Sequence, residues 1–467
     1  MRLPIAAAVA TLAAAAPAAA QAQTLTASPN LKHVANVEYP AKHGSTKNYG
    51  TDIEFTKLQG KQHALAGSYR NGLQIFDISK PDAPKRVGVY DCGITQGDVQ
   101  VFERKNRTFI TYTADATPSG AARANSDCFN EARALGFNVE ATQGRGTFIA
   151  DITNPAKPET VSFVAVPLGS HNQTVHPSGN FLYNSNSELI TNIAGSSIEI
   201  FDISDFAAPK LVRTFELLKF PGLGNDSHDI TFSKDGKRAY SAALSHEEIL
   251  NTENPANPTR VSAIVDPAIN VFHQSDPIEI AGRKILAIED EFAGATPSNQ
   301  CPNGGVHFYD ITVEAAPVKV GYWNVDQIRT AQGYSCTAHV FRLHDEQDLM
   351  TISFYNGGVS VVDLKSIVGA GLGGTAPAGA KQVAFARFEN SNSWSAKTPE
   401  IDKDGDFHLY SNDITRGLDV FAYDAQAPKT TAQGRWLTAG EAAVSLPKRS
   451  AGELSTYEML CLLNQQS

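Results

Sequence analysis

The sequence predicts an all-β protein: a seven-bladed β-propeller closed by an N-terminal strand, with a short helical tail at its C-terminal end. Three observations support this prediction. A motif of an apolar strand, an acidic residue and a proline-containing turn recurs along the chain. Each copy lies in a unit of four short β-strand patterns, and one unpaired strand pattern precedes the first unit. Four-stranded units that repeat about every 50 residues are typical of propeller blades.

The recurring motif first appears as GLQIFDISKPDAPK, beginning at Gly72. Clear copies are GTFIADITNPAKPE, SIEIFDISDFAAPK and GVHFYDITVEAAPV, and more divergent ones are EILNTENPANP, GVSVVDLKSI and GLDVFAYDAQAPK. The residues in the acidic position are Asp77, Asp151, Asp202, Asn251, Asp310, Asp363 and Ala422. They lie 49 to 59 residues apart, except for a first interval of 74 residues. The extra length there is expected to form a surface insertion with a short helix around residues 130–135.

The four strands of each unit follow from apolar or alternating runs separated by turn residues. The third strand is the recurring motif, and the fourth follows its proline. The seventh unit lacks a fourth strand, whereas residues 31–40, LKHVANVEYP, have the pattern of one. We expect this segment to pair with the last unit and close the ring, which leaves no open sheet edge there. The predicted propeller spans residues 31–429, and the tail, residues 430–467, is expected to hold one or two short helices outside the ring.

The acidic residue that ends each third strand is predicted to stabilise the turn that follows. A short carboxylate accepts hydrogen bonds from backbone N–H groups of such a turn. A set of repeated metal ligands is the alternative. Asn251 and Ala422 stand in this position in two units, which indicates that a unit forms without the carboxylate.

The motif resembles the LVIVD repeat, through GLQIFDISKPDAPK, GTFIADITNPAKPE and SIEIFDISDFAAPK. The resemblance extends from about Leu31 to Lys429 and departs from the pattern at Asn251, Ala422 and after Asp363. LVIVD proteins are mostly exported or cell-surface bacterial proteins without an assigned reaction, so the resemblance implies fold and location but no catalytic residues. A weaker, fold-level resemblance is to the seven-bladed selenium-binding (methanethiol oxidase) propellers, which implies that this fold is compatible with metal-dependent oxidation.

Residues 1–22 have the pattern of a secretory signal peptide: one Arg, an Ala-rich apolar run, and small residues before an expected cleavage after Ala22. No later stretch reaches the length of a membrane span. The formal net charge of −10 and the lack of a Lys/Arg-rich run argue against nucleic acid as a partner. We therefore expect a monomeric protein that is secreted, periplasmic or on the cell surface.

The mature chain keeps five cysteines, enough for two disulfides in an oxidising compartment. We expect Cys92–Cys128 and Cys301–Cys336, because each pair falls within neighbouring units, and Cys461 is left over. None of the five lies in a CxxC pair, which argues against thiol redox chemistry and against a cysteine-based zinc site.

Four of the twelve histidines stand at equivalent positions, at the leading ends of four first strands; they are His171, His228, His273 and His339. First strands line the central channel of a propeller, so these imidazoles meet at one mouth if the ring forms. Imidazole ligands suit copper, zinc or iron. Neighbouring groups expected to support the ligands are Asp52, Asp98, His176 and Asp229. The alternative is structural, because His-Asp pairs also join blades and no HxH or HExxH spacing is present.

The segment AIEDEFAG contains Glu289, Asp290 and Glu291 at the end of a second strand. Strand alternation puts Glu289 and Glu291 on one face. We expect a solvated acidic loop here. No GxSxG, SxxK, P-loop or Rossmann glycine pattern occurs in context, so serine hydrolysis and nucleotide cofactors are unsupported.

Two functions follow from these patterns. The first is a binding scaffold that takes a protein, glycan or small-molecule ligand at the channel mouth. The second is a metalloenzyme, an oxidoreductase with copper, zinc or iron in the histidine ring. The sequence favours the first, because repeat scaffolds host many functions and no catalytic motif is present.

Overall fold

The computed structural model is a seven-bladed β-propeller, which confirms the predicted fold. It describes residues 23–186, 196–221, 224–291, 302–325, 336–374, 379–431 and 434–448. The expected signal peptide, Cys301 and Cys461 lie outside these ranges. Within them, the strands form seven antiparallel sheets, each running outward from an innermost first strand.

The N-terminal strands are β1 (Leu25–Ala27) and β2 (Leu31–Val37). Blade 1 holds β3 (Gly50–Leu58), β4 (Lys61–Ser68), β5 (Leu73–Asp77) and β6 (Lys85–Tyr90). Blade 2 holds β7 (Gln96–Arg104), β8 (Arg107–Ala114), β9 (Gly146–Asp151) and β10 (Glu159–Ala165). Blade 3 holds β11 (Ser170–Val175), β12 (Phe181–Asn186), β13 (Ser197–Asp202) and β14 (Lys210–Glu216).

Blade 4 holds β15 (Asp229–Phe232), β16 (Arg238–Ala242), β17 (Glu247–Asn251) and β18 (Thr259–Ile264). Blade 5 holds β19 (Phe272–Ile280), β20 (Arg283–Asp290), β21 (Val306–Asp310) and β22 (Val318–Asn324). Blade 6 holds β23 (His339–His344), β24 (Leu349–Ser353), β25 (Val359–Asp363) and β26 (Lys381–Phe388). Blade 7 begins with β27 (Ser393–Lys397), β28 (Phe407–Asp413) and β29 (Gly417–Tyr423), and β30 (Arg435–Thr438) follows it.

The N-terminal strand closes the ring, as predicted. Strand β2 pairs antiparallel with β29, with Leu31 opposite Tyr423 and Val37 opposite Leu418. It therefore becomes the fourth strand of blade 7, and the first and last parts of the chain share one sheet.

The terminal strands also cover two outer sheet edges, which the sequence did not predict. Strand β1 pairs with β26 of blade 6, and β30 pairs with β22 of blade 5. Trp436 of β30 lies against Gly321 and Gly379, where a Cβ atom would overlap its indole ring. A short helix follows β30 at Ala439–Ser445, as expected for the tail.

The recurring strand pattern is nearly continuous because middle strands bury both faces. In β5, Leu73 and Ile75 pack against blade 2 in a cluster that includes Ile110. Phe76 faces the other way and packs in a cluster with Tyr410 of blade 7. Each blade is thus held between two apolar layers.

The long first interval forms a helical insertion, as predicted. It contains helices at Gly120–Asn125 and Asp127–Ala134 and a 3-10 turn at Val139–Thr142. The Cys92–Cys128 disulfide, also predicted, joins the second helix to the segment after β6. Cys336 is buried and disulfide-bonded, but its predicted partner lies outside the described residues, so that pairing stays a prediction. Among the described residues, no helix is both long enough and apolar enough to span a membrane.

The residue that ends each third strand stabilises the next turn, as predicted. Its side-chain oxygen accepts a hydrogen bond of 2.8–3.0 Å from the backbone N–H two residues later, for Asp77, Asp151, Asp202, Asn251, Asp310 and Asp363. Blade 7 has Ala422 in this position, and Asp424 makes the equivalent bond to Gln426, at 2.9 Å.

The variant Asp77→Ala is expected to lower the free energy of unfolding by about 1 kcal/mol, because it removes one turn hydrogen bond. Asp77→Asn is expected to lose much less, since Asn251 makes the same bond in blade 4. Urea denaturation of the three proteins measures the difference. Equal losses in both variants would instead assign the effect to the Lys61–Asp77 ion pair.

Two adjacent buried carboxyls of β17 have opposite electrostatic environments. Burial raises the pKa of Glu247 well above its ordinary value, and its one hydrogen bond among the described residues comes from Ser275 Oγ, at 2.8 Å. Burial favours a higher pKa for Glu248 as well. Hydrogen bonds from donors that include His246 and Arg260 outweigh this effect, so the pKa of Glu248 lies below its ordinary value.

Glu247→Gln is expected to stabilise the protein at pH 8 and to have little effect near pH 4. Because the folded state raises this pKa, it binds the proton more tightly than the unfolded chain does. The wild type therefore loses stability as pH rises above about 4.5, by up to about 1.4 kcal/mol per pH unit. Thermal unfolding from pH 4 to 8 measures this. Glu248→Gln is the matched control and should destabilise at pH 8; equal responses of the two variants would contradict the assignment.

Candidate metal centre in the central channel

The central channel contains a cavity of about 280 Å³ whose lining comes from the first strands of all seven blades. At one end lie His228, His273 and His339, and beyond them the lining is mostly polar. Three of the four predicted histidines therefore line one end of the channel cavity, and His171 is not part of this lining.

A β-bulge lies at the leading end of the first strand in six blades, where the pairing with the second strand shifts register. The shifts fall between Gly50 and Ile53, Gln96 and Val99, Ser170 and Asn172, Phe272 and Ser275, His339 and Phe341, and Ser393 and Ser395. Bulges re-aim side chains and are common beside active sites. Val340, next to His339, has φ of +31°, a strained conformation for a β-branched residue.

Four imidazoles form a continuous row across blades 3 to 6. The ring centroids of His171 and His228 are 4.4 Å apart, those of His228 and His273 are 3.9 Å apart, and those of His273 and His339 are 4.6 Å apart. All four side chains are at most 3% exposed. We call these four residues the imidazole cluster.

Carboxylates hold the Nδ1 atoms of two members of the cluster. His171 Nδ1 lies 3.2 Å from Asp115 Oδ2, and His273 Nδ1 lies 2.8 Å from Glu289 Oε2. A carboxylate on Nδ1 fixes the ring orientation and makes Nε2 a better metal ligand.

Backbone carbonyls hold the Nδ1 atoms of the other two. His228 Nδ1 donates to the carbonyl of His273, at 3.0 Å, and His339 Nδ1 donates to the carbonyl of Trp394, at 2.6 Å. A carbonyl only accepts, so Nδ1 carries the proton in both rings and Nε2 keeps its lone pair. His228 and His339 therefore present Nε2 as the ligand atom.

The Nε2 atoms point toward a shared space. His171 Nε2 and His228 Nε2 are 2.9 Å apart. Within the described part of the chain, Nε2 of His273 and Nε2 of His339 are buried and make no hydrogen bond. Ligand atoms of His228, His273 and Glu291 lie within 4.8 Å of one another, a spacing suited to one ion.

The predicted solvated acidic loop is wrong. Glu289, Asp290 and Glu291 are fully buried, because they lie at the end of the second strand and directly after it, inside the propeller rather than in a surface turn. The prediction that Glu289 and Glu291 share a face is confirmed: both contact His273, with Glu291 Oε2 3.5 Å from Nε2. Tyr355 Oη donates to Glu291 Oε1, at 2.5 Å, and orients this carboxylate.

The electrostatics of three members of the cluster favour neutral imidazoles. Burial, followed by the charge that neighbouring imidazoles would carry, lowers the pKa of His228 and of His339 well below 6.5. Burial also lowers the pKa of His273. Neutral imidazole is the form that ligates a metal ion, so these rings are ready for it at neutral pH.

The predicted supporting residues occupy three different settings. Asp98 and Asp229 line the channel cavity, and so does Asp52, whose Oδ1 pairs with Lys397 Nζ at 2.7 Å. His176 lies apart from the cluster, where its Nε2 contacts the carbonyl of Gly236 at 2.9 Å and joins blade 3 to blade 4.

Several groups that complete the site were not predicted. Asp115 of blade 2 orients the ring of His171, and the backbone carbonyl of Trp394 in blade 7 orients the ring of His339. Nothing in the local sequence marks either residue. The pairing of Glu289 with His273 was detectable, because both residues belong to blade 5 and the shared face of Glu289 and Glu291 is visible in the sequence.

Comparisons with known proteins agree with the fold. A family model described as the LVIVD repeat matches residues 67–92, which include the first copy of the recurring motif. The search of curated proteins found no significant match. Nothing in these findings bears on the selenium-binding propellers, so that resemblance stays a prediction.

Two similar solved structures are a β-propeller domain and a protein of unknown function. The β-propeller domain of Cps50 (Swd1) from Myceliophteria thermophila is 10% identical with a TM-score of 0.50, and the match covers 81% of this chain and 97% of that domain. A functionally unknown protein from Desulfotomaculum acetoxidans is 15% identical with a TM-score of 0.43, covering 68% of this chain and 83% of that one. At such identities the likeness concerns the fold alone.

Proposed function

We propose that this chain, a β-propeller with an LVIVD repeat, is an exported protein that binds a transition-metal ion, copper, zinc or iron, in its imidazole cluster. His228, His273 and Glu291 are the central ligands, and His171 and His339 flank them. The proposal keeps the metal site of the second function expected from the sequence and leaves out its oxidoreductase activity.

The orientation of the four imidazoles is the observation that supports this proposal. Each Nδ1 atom contacts a carboxyl group or a backbone carbonyl, and ligand atoms of His228, His273 and Glu291 lie within 4.8 Å of one another. Histidines that only join blades would use both ring nitrogens for hydrogen bonds, as His176 does with Ser178 and Gly236, whereas Nε2 of His273 and Nε2 of His339 make no hydrogen bond in the described part of the chain. Imidazole with one carboxylate is a donor set that suits copper, zinc and iron.

Export is supported by two features. The first 22 residues have the charge and hydropathy pattern of a signal peptide. The Cys92–Cys128 disulfide is typical of an oxidising compartment. A scaffold that binds a protein or glycan is also compatible with a propeller, and a metal-dependent oxidation rests on fold analogy alone. The proposal therefore stops at metal binding.

Metal analysis of the protein purified after export tests the proposal. We expect about one ion per chain, and for the copper form an electron paramagnetic resonance spectrum with nitrogen hyperfine structure. Titration of the metal-free protein with Cu²⁺, Zn²⁺ and Fe²⁺ measures affinity. If none of these ions binds with micromolar or tighter affinity, the proposal is wrong.

The variant Glu289→Gln is expected to weaken metal affinity by about 10–100-fold, because it removes the carboxylate that orients His273. Glu199→Gln is the matched control, since Glu199 contacts Asn184 of the same blade and no member of the cluster. Isothermal titration of the three proteins measures the change. Equal affinities for all three would exclude a role for Glu289 in the site.

A further inference from the structure

We infer that the central channel is the route by which a metal cation reaches the imidazole cluster, and that Asp98 and Asp276 are the residues that attract the cation into it. The inference rests on the proposed metal-binding function.

The same cavity contains both the ligands and the carboxyls. Its lining includes His273 and His339 together with Asp98, Asp229 and Asp276. The two imidazoles are buried, and their Nε2 atoms have no hydrogen-bond partner among the described residues. An ion that enters this cavity therefore has direct access to ligand atoms.

The carboxyls lie at successive depths along the first strands. Residues two apart on a strand face the same side and are about 7 Å apart. Asp98 and Gln100 of β7 both line the cavity, and so do Gln274 and Asp276 of β19. Asp276 is three residues beyond His273, and the bulge between Phe272 and Ser275 allows both side chains to line the cavity.

One side of the channel is electrically neutralised. Lys397 Nζ is 2.7 Å from Asp52 Oδ1 and 2.8 Å from Glu54 Oε1, and Arg342 is 2.5 Å from Glu54. These groups belong to blades 6, 7 and 1. Their two cations balance their two carboxylates.

The other side has uncompensated carboxyls. Three carboxyls on blades 2, 4 and 5 make no ion pair with a cation in the described part of the chain; they are Asp98, Asp229 and Asp276. Asp98 accepts a hydrogen bond from the Gln173 amide at 3.4 Å, and Asp229 accepts one from the Ile230 N–H at 2.7 Å. Burial, followed by the charges of Asp52 and Asp229, raises the pKa of Asp98 well above its ordinary value. Where these carboxyls are ionised, their negative charge attracts metal cations into the channel.

The rate of Cu²⁺ uptake by the metal-free protein tests the route. Trp394 provides the signal, because its ring lies 4.6 Å from that of His339 and bound copper should quench its fluorescence. In stopped-flow mixing at low salt, Asp98→Asn/Asp276→Asn is expected to take up copper about 10-fold more slowly, with a weaker dependence on salt, because steering by channel charge is lost. Gln100→Arg, which adds a cation to the lining, should slow uptake in the same way.

The matched control is Asp82→Asn/Asp404→Asn, which removes two charges from exposed positions outside the channel lining. Its uptake rate should equal that of the wild type. If copper binds normally and the channel variants take it up at the wild-type rate, the route is wrong and the binding site stands. If the wild type binds no metal, both the route and the proposed function are wrong.

Discussion

Replacing His228 or His273 with alanine is expected to weaken metal binding by more than about 100-fold. Both residues present Nε2 to the same space, and their ligand atoms lie within 4.8 Å of each other and of Glu291. Loss of a group that only orients a ligand typically costs 10–100-fold in affinity, so loss of a ligand should cost more. Titration with Cu²⁺ and Zn²⁺ measures the change.

His176→Ala is the control for this prediction. His176 directly follows the strand that contains His171, but its Nε2 contacts the carbonyl of Gly236 instead of the cluster. This variant should keep wild-type affinity even if it is less stable, because it loses only a contact between blades. If His176→Ala weakens binding as much as His228→Ala, the effect of both comes from loss of folding, and circular dichroism at the titration temperature would show it.

Much of the fold could be predicted because each blade repeats the same arrangement of strands and turns. A middle strand with two buried faces needs a continuous apolar run, and the turn after it needs a side-chain acceptor. Blade 7 shows the limit of this reasoning. Ala422 suggested that its turn lacked an acceptor, but Asp424 makes the bond from two residues further along. A residue-by-residue alignment of repeats cannot detect such a shift.

The candidate site was predictable only in part, for a related reason. The first strands could be aligned, so His171, His228, His273 and His339 were found as a group. The groups that orient them lie on other strands and other blades, as Asp115 and Trp394 do. Their contacts depend on bulges and on packing between blades, and these are properties of the assembled ring. The burial of Glu289 and Glu291 was missed because a run of three acidic residues is usually solvated.

The N-terminal strand is expected to be essential for a stable ring. A variant that lacks residues 23–37 loses β2, so β29 of blade 7 keeps an unpaired edge and the buried side chain of Leu31 is removed. Truncating one buried leucine typically costs about 2–5 kcal/mol, and here a whole strand is lost. We therefore expect this variant to unfold at a much lower denaturant concentration than the wild type, or to aggregate.

A variant that lacks only residues 23–27 is the matched control for ring closure. It loses β1, which adds a fifth strand to blade 6, and it keeps the pairing of β2 with β29. The four other strands of blade 6 are unaffected, so its midpoint of unfolding should fall only slightly. Guanidinium denaturation followed by tryptophan fluorescence compares the two variants. Because closure by β2 is what distinguishes them, equal midpoints would show that the ring is held by packing between blades 7 and 1 and not by the shared sheet.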